Sequence, residues 1–129
     1  MTDVVAAIIE ENGKIMICQR PKNKTRALQW EFVGGKVEEG ETKQQALKRE
    51  CMEEIGVNVD VQEEFMKVYH TYPDIDICLT FFKAVIPDGR PQRLEHNDVR
   101  WVTRSELDNY EFCPADKDLL EVIKNEENS

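Results

Sequence analysis

The chain opens with two apolar runs rich in β-branched residues, DVVAAIIE and KIMICQR, separated by the polar stretch ENGK. Asn-Gly between two such runs is a tight-turn signal, so Asn12-Gly13 is expected to join them as an antiparallel hairpin. PKNKTRALQ is polar and reads as an outward loop. WEFVGGKVE then returns as a short strand broken by Gly34-Gly35. Beyond it Leu47, Cys51 and Ile55 recur at helical spacing, with Thr42 placed to cap and Gln45 at the third helical position. Gly56 follows the last apolar residue, so the pattern predicts a helix from Lys43 to Ile55. VNVDVQEEFMKVYHTYP and DICLTFFKAVI read as strands, PDGRPQRLEHND as a loop and VRWVT as a further strand. SELDNY predicts a short helix. PADKDLLEVIKNEE predicts a longer one, because Leu119, Leu120 and Ile123 share a face.

Strands and helices are mixed, with hairpins in place of regular βαβ units, and there are no repeats, linkers or composition breaks. The expectation is one α/β domain over residues 1–129, a mixed sheet packed between helices. With 129 residues the chain can bury a core without staples. A hydrophobic fraction of 40% with 33% charged residues suits a soluble protein. No apolar run approaches the ~20 residues that cross a bilayer, and the start lacks the basic region of a signal peptide, so a cytoplasmic location is expected.

Four cysteines without a CxxC pair, and only two histidines, disfavour disulfide and zinc frameworks. The cysteines read as small buried hydrophobes. A net charge of −9 argues against a nucleic-acid polymer or a membrane surface as partner. A small phosphorylated ligand remains compatible where cations neutralise it. A monomer and a homodimer are both compatible with the sequence.

The predicted helix carries its chemistry beside its apolar stripe, where Glu50, Glu53 and Glu54 cluster. Like charges at these spacings repel by ~0.2–0.5 kcal/mol per pair, and the helix dipole opposes carboxylates near the C-terminus. Stability therefore does not account for them. Converging carboxylate oxygens suit a hard divalent cation such as Mg²⁺ or Mn²⁺. The plain alternative is a solvated acidic face offset by Lys48 and Arg49.

Gly35, Glu41, Arg49, Glu50, Glu53, Glu54 and Gly56, followed by Val57, match the pattern G-x5-E-x7-R-E-U-x-E-E-x-G-U. The sequence thereby resembles the Nudix hydrolase family. Cys51 stands where the pattern has an aliphatic residue, a mild change for a thiol that packs like a small hydrophobe. VVAAIIE, QRP, WEFVGGKVE, WV and PAD further resemble the MutT-type nucleoside triphosphate pyrophosphohydrolases, with Val33 replacing the usual proline before the glycines.

The resemblance implies the Nudix fold, an α/β/α sandwich with a mixed sheet. It also implies hydrolysis of a nucleoside triphosphate to monophosphate and pyrophosphate, with Mg²⁺ as cofactor and Mn²⁺ able to substitute. Carried over by position, the Gly34 carbonyl, Glu50, Glu53, Glu54 and, from a loop, Glu95 would be metal ligands. Arg49 would orient the glutamates, Glu41 would anchor loop to helix, and Lys36 and Arg20 would meet phosphate. Arg20 also reads as a solvated strand-end cation. Glu53 is the first candidate for general base, with Glu50 and Glu54 as near in sequence. A non-catalytic Nudix-like nucleotide-binding module is the alternative, which need not keep every glutamate.

A nucleobase needs apolar walls and a few polar groups, for which Phe32, Tyr72, Phe82, Phe112 and Leu120 are candidates. Asp116, in FCPADKDLL, aligns with an asparagine in family members specific for 8-oxo-dGTP, whereas members acting on cytosine nucleotides resemble PAD. An ionised aspartate only accepts hydrogen bonds and would suit the cytosine amino group. A buried, protonated one would add a donor and admit 8-oxoguanine, while a third reading makes Asp116 the N-cap of the last helix.

Overall fold

The computed structural model describes residues 1–126. In chain order they form β1 (Thr2–Glu11), β2 (Lys14–Gln19), β3 (Trp30–Glu31), β4 (Gly34–Lys36), α1 (Lys43–Ile55), β5 (Asp60–Thr71), β6 (Asp76–Val85), β7 (Asp98–Val102) and α2 (Lys117–Glu126). Two 3₁₀ segments, Arg104–Asn109 and Pro114–Asp116, precede α2.

The seven strands form one sheet of order β3-β2-β1-β6-β5, with β4 paired to β1 and β7 to β2. β1 is antiparallel to β2 and β4 but parallel to β6, so the sheet is mixed. Asn12 and Gly13 both adopt positive φ, 54° and 78°, as the tight hairpin turn requires.

β1 is buried on both faces, and its side chains alternate between two cores. Val5, Ala7 and Ile9 pack with Leu47, Cys51 and Ile55 of α1. Ala6 and Ile8 belong to the opposite core with Leu119, Leu120 and Ile123 of α2. The expected α/β/α sandwich follows from this alternation. All four cysteines are buried and free, and no helix among the described residues is long and apolar enough to cross a membrane.

The predicted helix over Lys43–Ile55 has the bounds and caps read from sequence. The Gln45 N–H donates to Thr42 Oγ1 at 3.1 Å and the Thr42 N–H to Gln45 Oε1 at 2.9 Å, while Gly56 closes it at φ 70°.

Three details differ from the sequence reading. The break in WEFVGGKVE falls at Phe32-Val33, where the chain leaves β2 and joins β1, and both glycines lie inside β4. The short helix predicted at SELDNY is of 3₁₀ type and covers Arg104–Asn109. PAD is a separate 3₁₀ turn, closed by the Asp116 N–H on the Cys113 carbonyl at 2.9 Å, before α2 begins at Lys117. Glu127, the last residue of the predicted helix, lies outside the described residues.

Candidate active site

A cleft of about 520 Å³ lies where β4 and the acidic stripe of α1 face the β2–β3 loop, the β5–β6 turn and the Cys113–Asp116 segment. Gly34, Lys36, Glu50, Glu53, Glu54 and Glu95 line one flank, and Arg20, Phe32, Tyr72 and Asp116 the other. Arg49 stands behind the lining. Phe82 belongs to the core under α1. Phe112 stacks behind Phe32 at 5.6 Å between ring centroids, and Leu120 packs in the core on the α2 side. These three therefore do not wall the cleft.

The two glycines set the approach of strand to helix. A β-carbon on Gly34 would collide with the backbone of Val5, and one on Gly35 with the Glu50 carboxylate. Antiparallel pairing alternates the carbonyl direction. Ala7 N–H donates to the Val33 carbonyl at 2.9 Å and Val37 N–H to the Asp3 carbonyl at 3.0 Å, so the register turns the Gly34 and Lys36 carbonyls away from β1. The Lys36 carbonyl accepts from Arg49 Nη2 at 3.0 Å.

Arg49 ties the flank together. It holds Glu41 with two bonds, Nε to Oε2 at 2.7 Å and Nη2 to Oε1 at 3.0 Å, and reaches Glu53 Oε2 at 3.2 Å. Glu41 Oε1 also accepts the Glu38 N–H at 2.9 Å, fixing the loop onto the helix. Lys36 is exposed and has no ion-pair partner among the described residues.

Burial separates the three helix glutamates. Glu53 is half exposed, whereas the Glu54 side chain is 11% exposed. Burial, then the charges of Glu50 and Glu31, push the Glu54 carboxyl up to about 10. Burial also raises Glu50, which lies within hydrogen-bonding reach of Glu54. Among the described residues no three acidic, thiol or imidazole side chains stand in ligand geometry: Glu53 turns to Arg49, Glu50 lies against Gly35, and Glu54 faces His96. Two neighbouring carboxyls whose protonated forms burial favours are nevertheless suited to a divalent cation, which displaces a proton when it binds.

Two residues unnoticed in the sequence complete the floor. His96 Nε2 lies 3.2 Å from Glu31 Oε2 and 3.3 Å from Glu54 Oε1. Glu31 Oε1 accepts from Arg20 Nη1 at 2.9 Å. Arg20 also donates to the Thr25 carbonyl at 2.7 Å and to Thr25 Oγ1 at 3.3 Å, so it is neither a solvated strand-end cation nor a freely offered one. The unnoticed Arg26 lies over the Tyr72 ring at 3.9 Å and pairs with Asp74 at 2.9 Å.

Tyr72 is pinned by the Ala115 N–H, which donates to its hydroxyl at 2.8 Å. Asp116 is 4% exposed and lines the cleft. No backbone N–H of α2 donates to its carboxyl among the described residues, so it does not serve as the N-cap. Burial, then the Glu31 charge, lifts it well above the usual carboxylate range, against a smaller opposing pull from Arg20. That direction favours the protonated reading of Asp116 over the ionised one.

A mixed-sheet sandwich whose acidic helix is backed by a glycine strand defines the class. The sequence profile of the NUDIX domain matches residues 4–122, and the chain belongs to that family. It is 42% identical to a CTP pyrophosphohydrolase of Escherichia coli K12 over 95% of this chain and 91% of the relative. It is 33% identical to the 8-oxo-dGTP diphosphatase of the same organism over 93% of each chain. In fold it resembles the MutT protein of Methanosarcina mazei, with a TM-score of 0.87 over 99% of this chain and 96% of the other at 22% identity.

Proposed function

We propose that the chain is a Mg²⁺-dependent pyrophosphohydrolase that splits a nucleoside triphosphate into nucleoside monophosphate and pyrophosphate. The observation that carries this reading is the neighbouring pair of carboxyls on α1, Glu54 buried and Glu50 half-buried against the Gly35 backbone, both lining a nucleotide-sized cleft. The relatives named for CTP and 8-oxo-dGTP hydrolysis support it.

Glu50, Glu53 and Glu54, with Glu95 and the Gly34 carbonyl, offer the all-oxygen donor set that Mg²⁺ takes and Mn²⁺ accepts. When bound, the cation supplies Lewis-acid charge that polarises phosphoryl oxygens and acidifies water. Lys36 adds a mobile ammonium against the phosphate charge that grows as the bridging bond breaks. Glu53, exposed to the cleft and steadied by Arg49, takes the proton of the attacking water. Water adds to one phosphorus, the bridging oxygen leaves with the other fragment, and no covalent intermediate is required.

Phe32 and Tyr72 supply apolar walls for the base and Asp116 its polar edge. A neutral carboxyl carries one donor beside one acceptor. Cytosine, with its N4 amino group beside N3, and 8-oxoguanine, with O6 beside the N7 hydrogen, both present the complementary pair.

The test is release of pyrophosphate and monophosphate from CTP, dCTP, 5-methyl-dCTP and 8-oxo-dGTP with Mg²⁺ or Mn²⁺. Nucleotide binding without pyrophosphate from any of the four would make the chain a binding module instead.

A further inference from the structure

We propose that His96 is a positioning residue: held by Glu31, it fixes the Glu54 carboxyl and so sets the spacing between the base flank of the cleft and the acidic helix. This rests on the metal-binding role given above to Glu54.

Glu31 uses its two oxygens in opposite directions. Oε1 takes Arg20 Nη1 at 2.9 Å, on the flank that carries Asp116, and Oε2 takes His96 Nε2 at 3.2 Å. The same Nε2 lies 3.3 Å from Glu54 Oε1. One imidazole nitrogen thus stands between the two carboxyls.

The histidine itself has little freedom. Its side chain is 4% exposed. The next residue, Asn97, is fastened to the end of β2 by its N–H on the Gln19 carbonyl at 2.8 Å and by Nδ2 on Gln19 Oε1 at 2.6 Å. On the other side, Leu94 N–H donates to the Glu54 carbonyl at 3.3 Å and Gln92 N–H to that of Ile55 at 2.8 Å. The loop therefore spans β2 and the C-terminal end of α1, with His96 between the two anchor points.

Packing alone does not favour this residue. Of the two ring nitrogens only Nε2 meets carboxyl oxygens. Nδ1 is buried and has no partner among the described residues, a loss that an apolar side chain would avoid. The return is a rigid ring nitrogen, bonded to Glu31, held 3.3 Å from Glu54 Oε1. Residues that orient metal ligands in this way characteristically change metal affinity by about 10–100-fold when removed.

His96→Gln and His96→Asn separate the roles, because a glutamine amide reaches the place of Nε2 while an asparagine amide falls short. Both are read by Mn²⁺ titration with electron paramagnetic resonance in the absence of nucleotide. Expected are wild-type affinity within about threefold for His96→Gln and a loss of about 10–100-fold for His96→Asn, with kcat falling more than KM rises. Equal affinity in both variants, whether retained or lost, would overturn the proposal. Wild-type protein without Mn²⁺ affinity would instead strike down the metal reading on which it rests.

Should His96→Asn not melt cooperatively, the wild type decides. His70 and His96 are its only two histidines, so in ¹⁵N-histidine-labelled protein Mg²⁺ must move the Nε2 resonance of His96 and leave that of His70. A His96 resonance that stays in place overturns the proposal.

Discussion

Gly35 and Glu50 compete for the same space: the β-carbon that any other residue would place at position 35 falls on the Glu50 carboxylate. Gly35→Ala is therefore expected to turn Glu50 out of the cleft. Because the displaced atoms end a flexible side chain, the fold survives, with Tm lowered by a few degrees. Turnover should fall about a hundredfold, as for ångström-scale misplacement of a reacting group. Steady-state assays beside thermal melts check this, and unchanged turnover would remove Glu50 from the reaction.

Glu54 gives the metal-free protein a characteristic pH dependence. Its ordinary value is 4.5 and the fold pushes it up to about 10. Between these values the folded chain keeps a proton that the unfolded chain has released, so stability falls as pH rises. Tm should decline from pH 5 to pH 9. Glu54→Gln should flatten that decline and raise Tm at pH 8 by about 4–8 °C. Mg²⁺ at a hundred times its Kd adds about 2.7 kcal/mol, with a larger gain at pH 8 than at pH 6 because binding releases the proton. A slope that survives in the variant would assign it to another group.

Glu53 differs from its neighbours by being exposed and bound to Arg49 at 3.2 Å. Replacing it by glutamine removes a charge from the reaction without opening the core. Apo Tm should hold within a few degrees while kcat falls by about 10²–10⁴, the range of general-base loss. Activity within threefold of wild type would pass the role to Glu50 or Glu54.

Asp116 tests base recognition. Burial favours its neutral form, and asparagine offers the same donor and acceptor as a neutral carboxyl. Asp116→Asn should therefore leave the ratio of kcat/KM for dCTP and 8-oxo-dGTP nearly unchanged at pH 6–7. Asp116→Ala should lower both by about tenfold or more. A ratio that swings by powers of ten in Asp116→Asn would mean an ionised aspartate in the wild type.

What the sequence disclosed was local. Thr42, Gln45 and Gly56 carry the ends of α1 within its own turns, and Asn12-Gly13 carries its hairpin. The acidic stripe and the glycines were legible for the same reason. Glu31 and His96 lie 65 residues apart, and neither has a local pattern to announce the pairing. Glu31, a polar residue between Trp30 and Phe32, was the available signal. Arg20 was legible as a cation, but its engagement by Glu31 and Thr25 depends on tertiary structure. The break at Phe32-Val33 marks a change of strand partner from β2 to β1, which no propensity encodes.

The parallel pairing of β1 with β6, Thr2 opposite Ile77, also orders the birth of the molecule. On a ribosome β1 emerges well before β6 and must wait for it, while the β1–β2 hairpin and α1 can form at once. Until β6 arrives, one edge of an apolar strand stands open to other chains, and closing so long a loop makes this the slow step. Crowding on polysomes and limiting chaperone are thus the conditions under which this protein would be lost to aggregation, before any substrate is met.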